Sequence, residues 1–239
     1  MKILQDQTIL ITGASSGFGR GIALACAEAG ANVSLVARSA QRLREVAANA
    51  ESVGVKTVVC VTDVAHEVQI RGAIAETKAH LGPIDILVNN AGTNIASRSI
   101  HDTTVAEWRE ILEINLTSAY LFTKLTLPDM IERQQGTIIN VASRAATHPS
   151  LLSGVGYATS KMGMQTLTTI TNEEANPHNV RACVINPGEG NTPILDKRTA
   201  PPAEEERINM LQPEDLGNAV VFAASMPPRA NVWRIDMTP

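Results

Sequence analysis

The sequence has little cysteine, no run of basic residues, no long apolar stretch and no internal repeat. Each absence removes a class of protein. Its 3 cysteines, Cys26, Cys60 and Cys183, are odd in number and scattered through 239 residues. They make no disulfide framework and have no metal-ligand spacing, so no metal is expected and the thiols read as buried and reduced in a cytoplasmic protein. The 20 Lys and Arg residues face 24 Asp and Glu, for a net charge of −4, and nowhere form a basic run. Nucleic acid is therefore not an expected partner. The longest apolar runs are strand-sized, well short of the roughly 20 residues a membrane-spanning helix needs, so no membrane association is expected. The start, Met1-Lys2-Ile3, passes within a few residues into a strand-like run and lacks the apolar region and cleavage site of a signal peptide. Without a repeat or a low-complexity linker, residues 1–239 read as a single domain, an ordinary size for one α/β unit.

What is present suits a compact core: 44% hydrophobic and 18% charged residues, a balance that argues against disorder. Short apolar runs at 8–11, 33–36, 57–61, 84–88, 137–141, 180–185 and about 231–235 are predicted strands. Between them lie helical patterns at about 20–28, 39–53, 65–80, 103–133 with a break near Asn115, from Tyr157 onward, and from about Pro213. Strands alternating with helices predict an α/β, single-domain, Rossmann-like fold. Its doubly wound, mainly parallel, seven-stranded sheet would carry helices on both faces. Residues 193–212, polar and rich in Pro and Glu, are predicted to form a mobile cap over a site.

Ligands in such sheets bind outside the carboxyl ends of the strands, and the chemistry-bearing residues fall at those ends. The first strand runs into Gly13-Ala14-Ser15-Ser16-Gly17-Phe18-Gly19, a turn that aims backbone N–H groups and a helix N-terminus at a phosphate. The second ends at Ala37-Arg38-Ser39. An acidic residue there would favour a ribose 2′-hydroxyl; an arginine accommodates a 2′-phosphate, which points to NADP over NAD. The third ends in Asp63-Val64, within reach of an adenine, and the fourth in Asn89-Asn90-Ala91-Gly92, where small residues let a cofactor pass close. The fifth delivers Ser143. Tyr157 and Lys161, four apart, share one face of the next helix. An ammonium beside a phenol favours the phenolate, so Tyr157 is expected to have a lowered pKa and to trade a proton with an alcohol or carbonyl oxygen that a serine could hold.

With these pieces in order, the chain resembles the short-chain dehydrogenase/reductase family over essentially its whole length. The likeness rests on Thr12-Gly13-x-x-x-Gly17-x-Gly19, Asp63-Val64, Asn89-Asn90-Ala91-Gly92, Asn115, Ser143, Tyr157-x-x-x-Lys161, and Pro187-Gly188 with Thr192. The run Pro227-Pro228-Arg229-Ala230-Asn231-Val232 resembles a branch of NADP-dependent enzymes acting on 3-hydroxy acids and serine-like substrates. The resemblance implies hydride transfer between a nicotinamide and a carbonyl or secondary alcohol. Ser143 would hold the substrate oxygen and Tyr157 would act as general acid or base. Lys161 would lower the tyrosine's pKa and bind the nicotinamide ribose. Asn115 would hold a water through a helix kink, and Thr192 would fix the nicotinamide carboxamide. Relatives assemble through the 103–133 and Tyr157 helices, so a homodimer or homotetramer is expected.

Three departures qualify the pattern. The Ser143-to-Tyr157 gap is one residue longer than the family's usual spacing, which reads as an insertion after Ser143; strict counting back from Tyr157 would put Arg144 in the serine's place. Gly190 stands where the family has an apolar residue, which would loosen the segment over the nicotinamide. Arg98, Arg144 and His148 fall in loops that could line a substrate mouth, and their charges suggest a carboxylate-bearing substrate. Two other readings use the same fold: a redox sensor that binds NADP without turnover, and an epimerase or dehydratase that reuses the tyrosine and lysine.

Overall fold

A computed structural model describes residues 2–198 and 200–239. Seven strands, β1 (Thr8–Thr12), β2 (Asn32–Ala37), β3 (Thr57–Val61), β4 (Ile86–Asn89), β5 (Gly136–Val141), β6 (Val180–Pro187) and β7 (Arg234–Met237), form one sheet in the order β3-β2-β1-β4-β5-β6-β7. Every pairing is parallel. Period-two burial splits each inner strand between two cores. Ile9, Ile11, Val33 and Leu35 face α1 (Gly17–Glu28), α2 (Ala40–Glu51) and α8 (Pro213–Ser225); Leu10, Val36, Leu87 and Ile138 face α3 (Glu67–Leu81) and α5 (Ser118–Glu132). The strand order reverses between β1 and β4, which opens a crevice at their carboxyl ends.

Two elements differ from expectation. The closing strand begins at Arg234 rather than about Asn231. Residues ahead of it are held elsewhere: the Asn231 amide donates to Asn172 and Asn176, and the Pro227 and Ala230 carbonyls accept from Arg181. Likewise β4 begins at Ile86 rather than Ile84; ahead of it the Asp85 backbone still bonds to Thr8 and Thr137, and its carboxylate accepts from the Thr8 N–H at 2.9 Å and from Arg133 at 2.9 Å. The predicted break near Asn115 is a π-helical turn, Glu113–Thr117, between α4 (Val105–Leu112) and α5. Helix α4 starts on a capping box in which Thr104 and Glu107 satisfy each other's backbone N–H groups. Between α5 and α8 lie α6 (Val155–Ala175) and the single turn α7 (Glu204–Arg207).

Candidate active site

A cleft of about 910 Å³ runs along the carboxyl ends of the strands. At its floor lies the turn from β1 into α1. Gly13 has φ +68°, and a Cβ there would sit 3.0 Å from the Ala91 Cα. Gly17 has φ +50° and packs under Thr192. Only glycine accepts both demands without strain. The N-cap of α1, Ser16, makes no side-chain cap, and the first turn carries no acid. Its N–H groups are thus left for an anion. Ser15, Phe18 and Gly19 line the same floor. Arg38 stands exposed at the end of β2, and Arg42, one turn into α2, stands beside it on the cleft wall. Sequence reasoning missed Arg42, because Arg38 precedes the helix, which starts at Ala40, and helical spacing does not link the two. Asp63 and Val64 line the wall beyond, the Asp63 carboxylate oriented by the Ala65 N–H at 3.1 Å.

Of the β4 exit, Ala91 and Gly92 line the cleft, but Asn89 does not. Its side chain is buried on the opposite face, with Nδ2 donating to Asn140 Oδ1 at 2.8 Å and Thr123 Oγ1 at 3.2 Å. The neighbour Asn90 faces the cleft instead, and its amide braces the glycine turn by donating to the Thr12 carbonyl at 2.8 Å. Strand alternation itself requires this division. Pro187, Gly188 and Thr192 line the far wall, with the Gly188 N–H tied to the Met237 carbonyl at 2.7 Å.

Ser143, Tyr157 and Lys161 meet in this cleft. Ser143 follows β5 as the N-cap of a short 3₁₀ turn and accepts from the Ala145 N–H at 3.1 Å. Arg144 is exposed at the rim, so it is Ser143 that stands beside the tyrosine. Tyr157 lies in the first turn of α6. Lys161 is 3% exposed, and its amine donates to the Val141 carbonyl at 2.8 Å and lies 5.8 Å from the centre of the Tyr157 ring. The electrostatics differ from expectation. Burial pushes the Tyr157 pKa up, while the Ser143 hydroxyl and the guanidinium groups of Arg98 and Arg198 pull it the other way. Burial also lowers the Lys161 pKa to about 7. Desolvation disfavours the charged form of each group. Asn115, fully buried in the π turn, is saturated by protein: its Oδ1 accepts from the Thr93 N–H at 2.7 Å, and its Nδ2 donates to the Thr93 carbonyl at 3.0 Å and Ser160 at 3.1 Å. Its side chain thereby ties the loop after β4 to α6.

Gly190 does not leave the segment loose. A Cβ there would lie 2.0 Å from Phe18 Cζ, so the phenyl ring fills the space that a side chain at 190 would take. Pro193, Ile194, Leu195, Lys197 and Arg198 of the 193–212 segment form the outer wall. His148 reaches the rim, exposed. Sequence reasoning missed Lys197 and Arg198, because nothing local says which way that segment folds.

A glycine-floored crevice at the switch point of a doubly wound sheet, with a serine, a phenol and an amine at one end, defines a nucleotide-binding α/β protein. The family model for the short chain dehydrogenase matches residues 7–203. The chain is 31% identical over 239 residues to an uncharacterized oxidoreductase of Staphylococcus aureus (strain MRSA252), covering 100% of both. It is 32% identical over 240 residues to another from Staphylococcus saprophyticus, again covering 100% of both. Among solved structures, a metagenomic short-chain oxidoreductase in complex with NADP matches with a TM-score of 0.85 at 29% identity, covering 99% of each chain. An alcohol dehydrogenase from the archaeon Thermococcus sibiricus, complexed with 5-hydroxy-NADP, matches with a TM-score of 0.86 at 25% identity, covering 97% of this chain and 96% of that one. The chain belongs to the short-chain dehydrogenase/reductase family and is an oxidoreductase. No described helix is long and apolar enough to cross a membrane.

Proposed function

We propose that the protein is an NADP-dependent carbonyl reductase or alcohol dehydrogenase. The observation that carries this reading is the meeting of Ser143, Tyr157 and Lys161 in the cleft whose floor is the Gly13–Gly19 turn. The residues present fit the dinucleotide. The α1 N-terminus and the glycine turn would hold the pyrophosphate, Arg38 and Arg42 the 2′-phosphate, Asp63 and Val64 the adenine, Lys161 the nicotinamide ribose, and Pro187, Gly188 and Thr192 the carboxamide. The absence of an acid at Ala37, Arg38 and Ser39 favours NADP over NAD. NADP and 5-hydroxy-NADP in the two structural neighbours support the same choice.

When bound, the nicotinamide supplies or accepts the hydride. The chain's own residues handle the oxygen. Ser143 holds the substrate carbonyl or hydroxyl oxygen, its Oγ already oriented by the Ala145 N–H. Tyr157 gives that oxygen a proton in reduction and takes it back in oxidation. The raised pKa keeps the phenol protonated at neutral pH, which favours its role as the acid. Asn115 positions Thr93 and Ser160 around Lys161. Segment 193–212 acts as the substrate cap. Exposed Tyr120, Met162 and Ile170 on α5 and α6 support assembly as a homodimer or homotetramer. The cysteines, all unpaired and buried, suit a reducing cytoplasm.

The test is loss of NADPH absorbance in the presence of a panel of ketones and 3-oxo esters. The reading expects turnover with NADPH and much slower turnover with NADH. Tight NADPH binding with no turnover across the panel would instead mark a redox sensor.

A further inference from the structure

We infer that Arg98 and Arg198 form a subsite for the carboxylate of an oxo-acid or hydroxy-acid substrate beside Tyr157. The inference rests on the reductase reading above and names its substrate class.

Arg98, in the loop after β4, is fixed from several sides. Its carbonyl accepts from the Val155 N–H at 3.0 Å, at the start of α6. Its stem packs over Gly154, where an added Cβ would meet Arg98 Cδ at 2.9 Å. Its guanidinium donates to the Ser153 carbonyl at 3.2 Å and the Lys197 carbonyl at 3.4 Å. Backbone carbonyls orient a guanidinium without neutralising it. Among the described residues, Arg98 forms no ion pair with a carboxylate. Arg198 reaches the same cleft from the cap and pairs with Glu189 at 2.7 Å. Two guanidinium groups share one carboxylate, and Lys197 beside them donates, among the described residues, only to the Thr93 hydroxyl, so this wall of the cleft carries uncompensated positive charge that suits an anion. Their closeness is also visible in their mutual effects: Arg98 is pushed below the usual arginine range by burial and by Arg198, and both arginines favour the ionised form of Tyr157. A half-buried cation without a counter-ion is costly, and a planar guanidinium fits a carboxylate in two-point contact. By contrast, Arg144 and His148 are exposed at the rim.

With the carboxylate on the arginines, the substrate's carbonyl falls to Ser143 and Tyr157. Reduction adds a hydride from NADPH at the carbonyl carbon and the Tyr157 proton at the oxygen. The products are a hydroxy acid and NADP⁺, the phenol is re-protonated from water, and the carboxylate takes no part in the bond changes.

The test compares acetoacetate and levulinate, each with its own primary amide, in NADPH-dependent reduction by the wild type and by Arg98→Ala, Arg98→Lys and Arg198→Gln. The amide is an uncharged reference of nearly the same shape, so any general damage cancels in the acid-to-amide ratio of kcat/KM. The wild type should prefer the acids, and the ratio should fall roughly 30-fold in Arg98→Ala, the loss of one charged hydrogen-bonding contact, with Arg98→Lys keeping part of it. Arg198→Gln approaches the same subsite from the cap, should Arg98→Ala fail to fold. Valerate should compete with the oxo acids in the wild type, and valeramide should not. A wild type indifferent to the charge, or a ratio unchanged in the variants, overturns the subsite. Reduction of neutral ketones alone would do so while leaving the reductase reading standing; no reduction of any carbonyl would instead overturn that reading.

Discussion

Lys161 should make the free protein more stable as pH rises from about 7 to about 9. Its amine is 3% exposed and rests on the Val141 carbonyl, and burial lowers its pKa from 10.5 to about 7. The folded-state pKa lies below the unfolded one, so between them the unfolded chain binds more protons and stability climbs with pH; the gain is lost as pH falls toward 7. Integrating one such site from about pH 7 to about pH 9 gives about 2 kcal/mol. The window stops there because Cys26 and Cys183, both pushed up to about 12 by burial, oppose the trend above their ordinary thiol range. Lys161→Met keeps most of the stem and removes the titration. Urea unfolding of both proteins without nucleotide, at fixed protein concentration and a series of pH values, reads the difference directly, since every other group is common to the pair. The wild type should gain about 2 kcal/mol on the variant across the window. A constant difference would mean that the amine stays charged in the fold, and the reasoning from burial would fail.

Tyr157→Phe should cost about a thousandfold in kcat with NADPH binding retained, measured by steady-state turnover and by quenching of nucleotide fluorescence. Arg38→Glu should lower kcat/KM for NADPH about 100-fold and spare NADH, as loss of a phosphate-binding guanidinium requires. Gly190→Ala places a methyl 2.0 Å from Phe18 Cζ and should destabilise by about 2 kcal/mol, most of it recovered by adding Phe18→Leu. Additive melting shifts in that cycle would show that the ring does not fill the gap.

The sheet was legible because its strands are continuous apolar runs between helical periods, and parallel strands buried on both faces read that way. The site was legible wherever a motif sat at a strand's carboxyl end. What escaped was tertiary. Asn89 and Asn90 look alike in sequence, and only the strand's alternation turns one into the core and the other to the cleft. The closing strand slipped because Arg181, Asn172 and Asn176 claim residues 227–231 first. The complementarity of Phe18 and Gly190 joins positions far apart in the chain, as does the approach of Arg198 to Arg98. The tyrosine's pKa went the opposite way because burial outweighs the groups that lower it, and the neighbouring amine is itself desolvated.

The central claim is that the cleft passes a hydride directly between nicotinamide and a substrate carbon while Tyr157 moves the proton. NADPH deuterated at nicotinamide C4, on each face in turn, tests it when the alcohol product is examined by mass spectrometry. One of the two labels should appear in full on the carbinol carbon in ordinary water, and Tyr157→Phe should slow its appearance about a thousandfold without changing its origin. An alcohol that carries no label from either face would contradict the account.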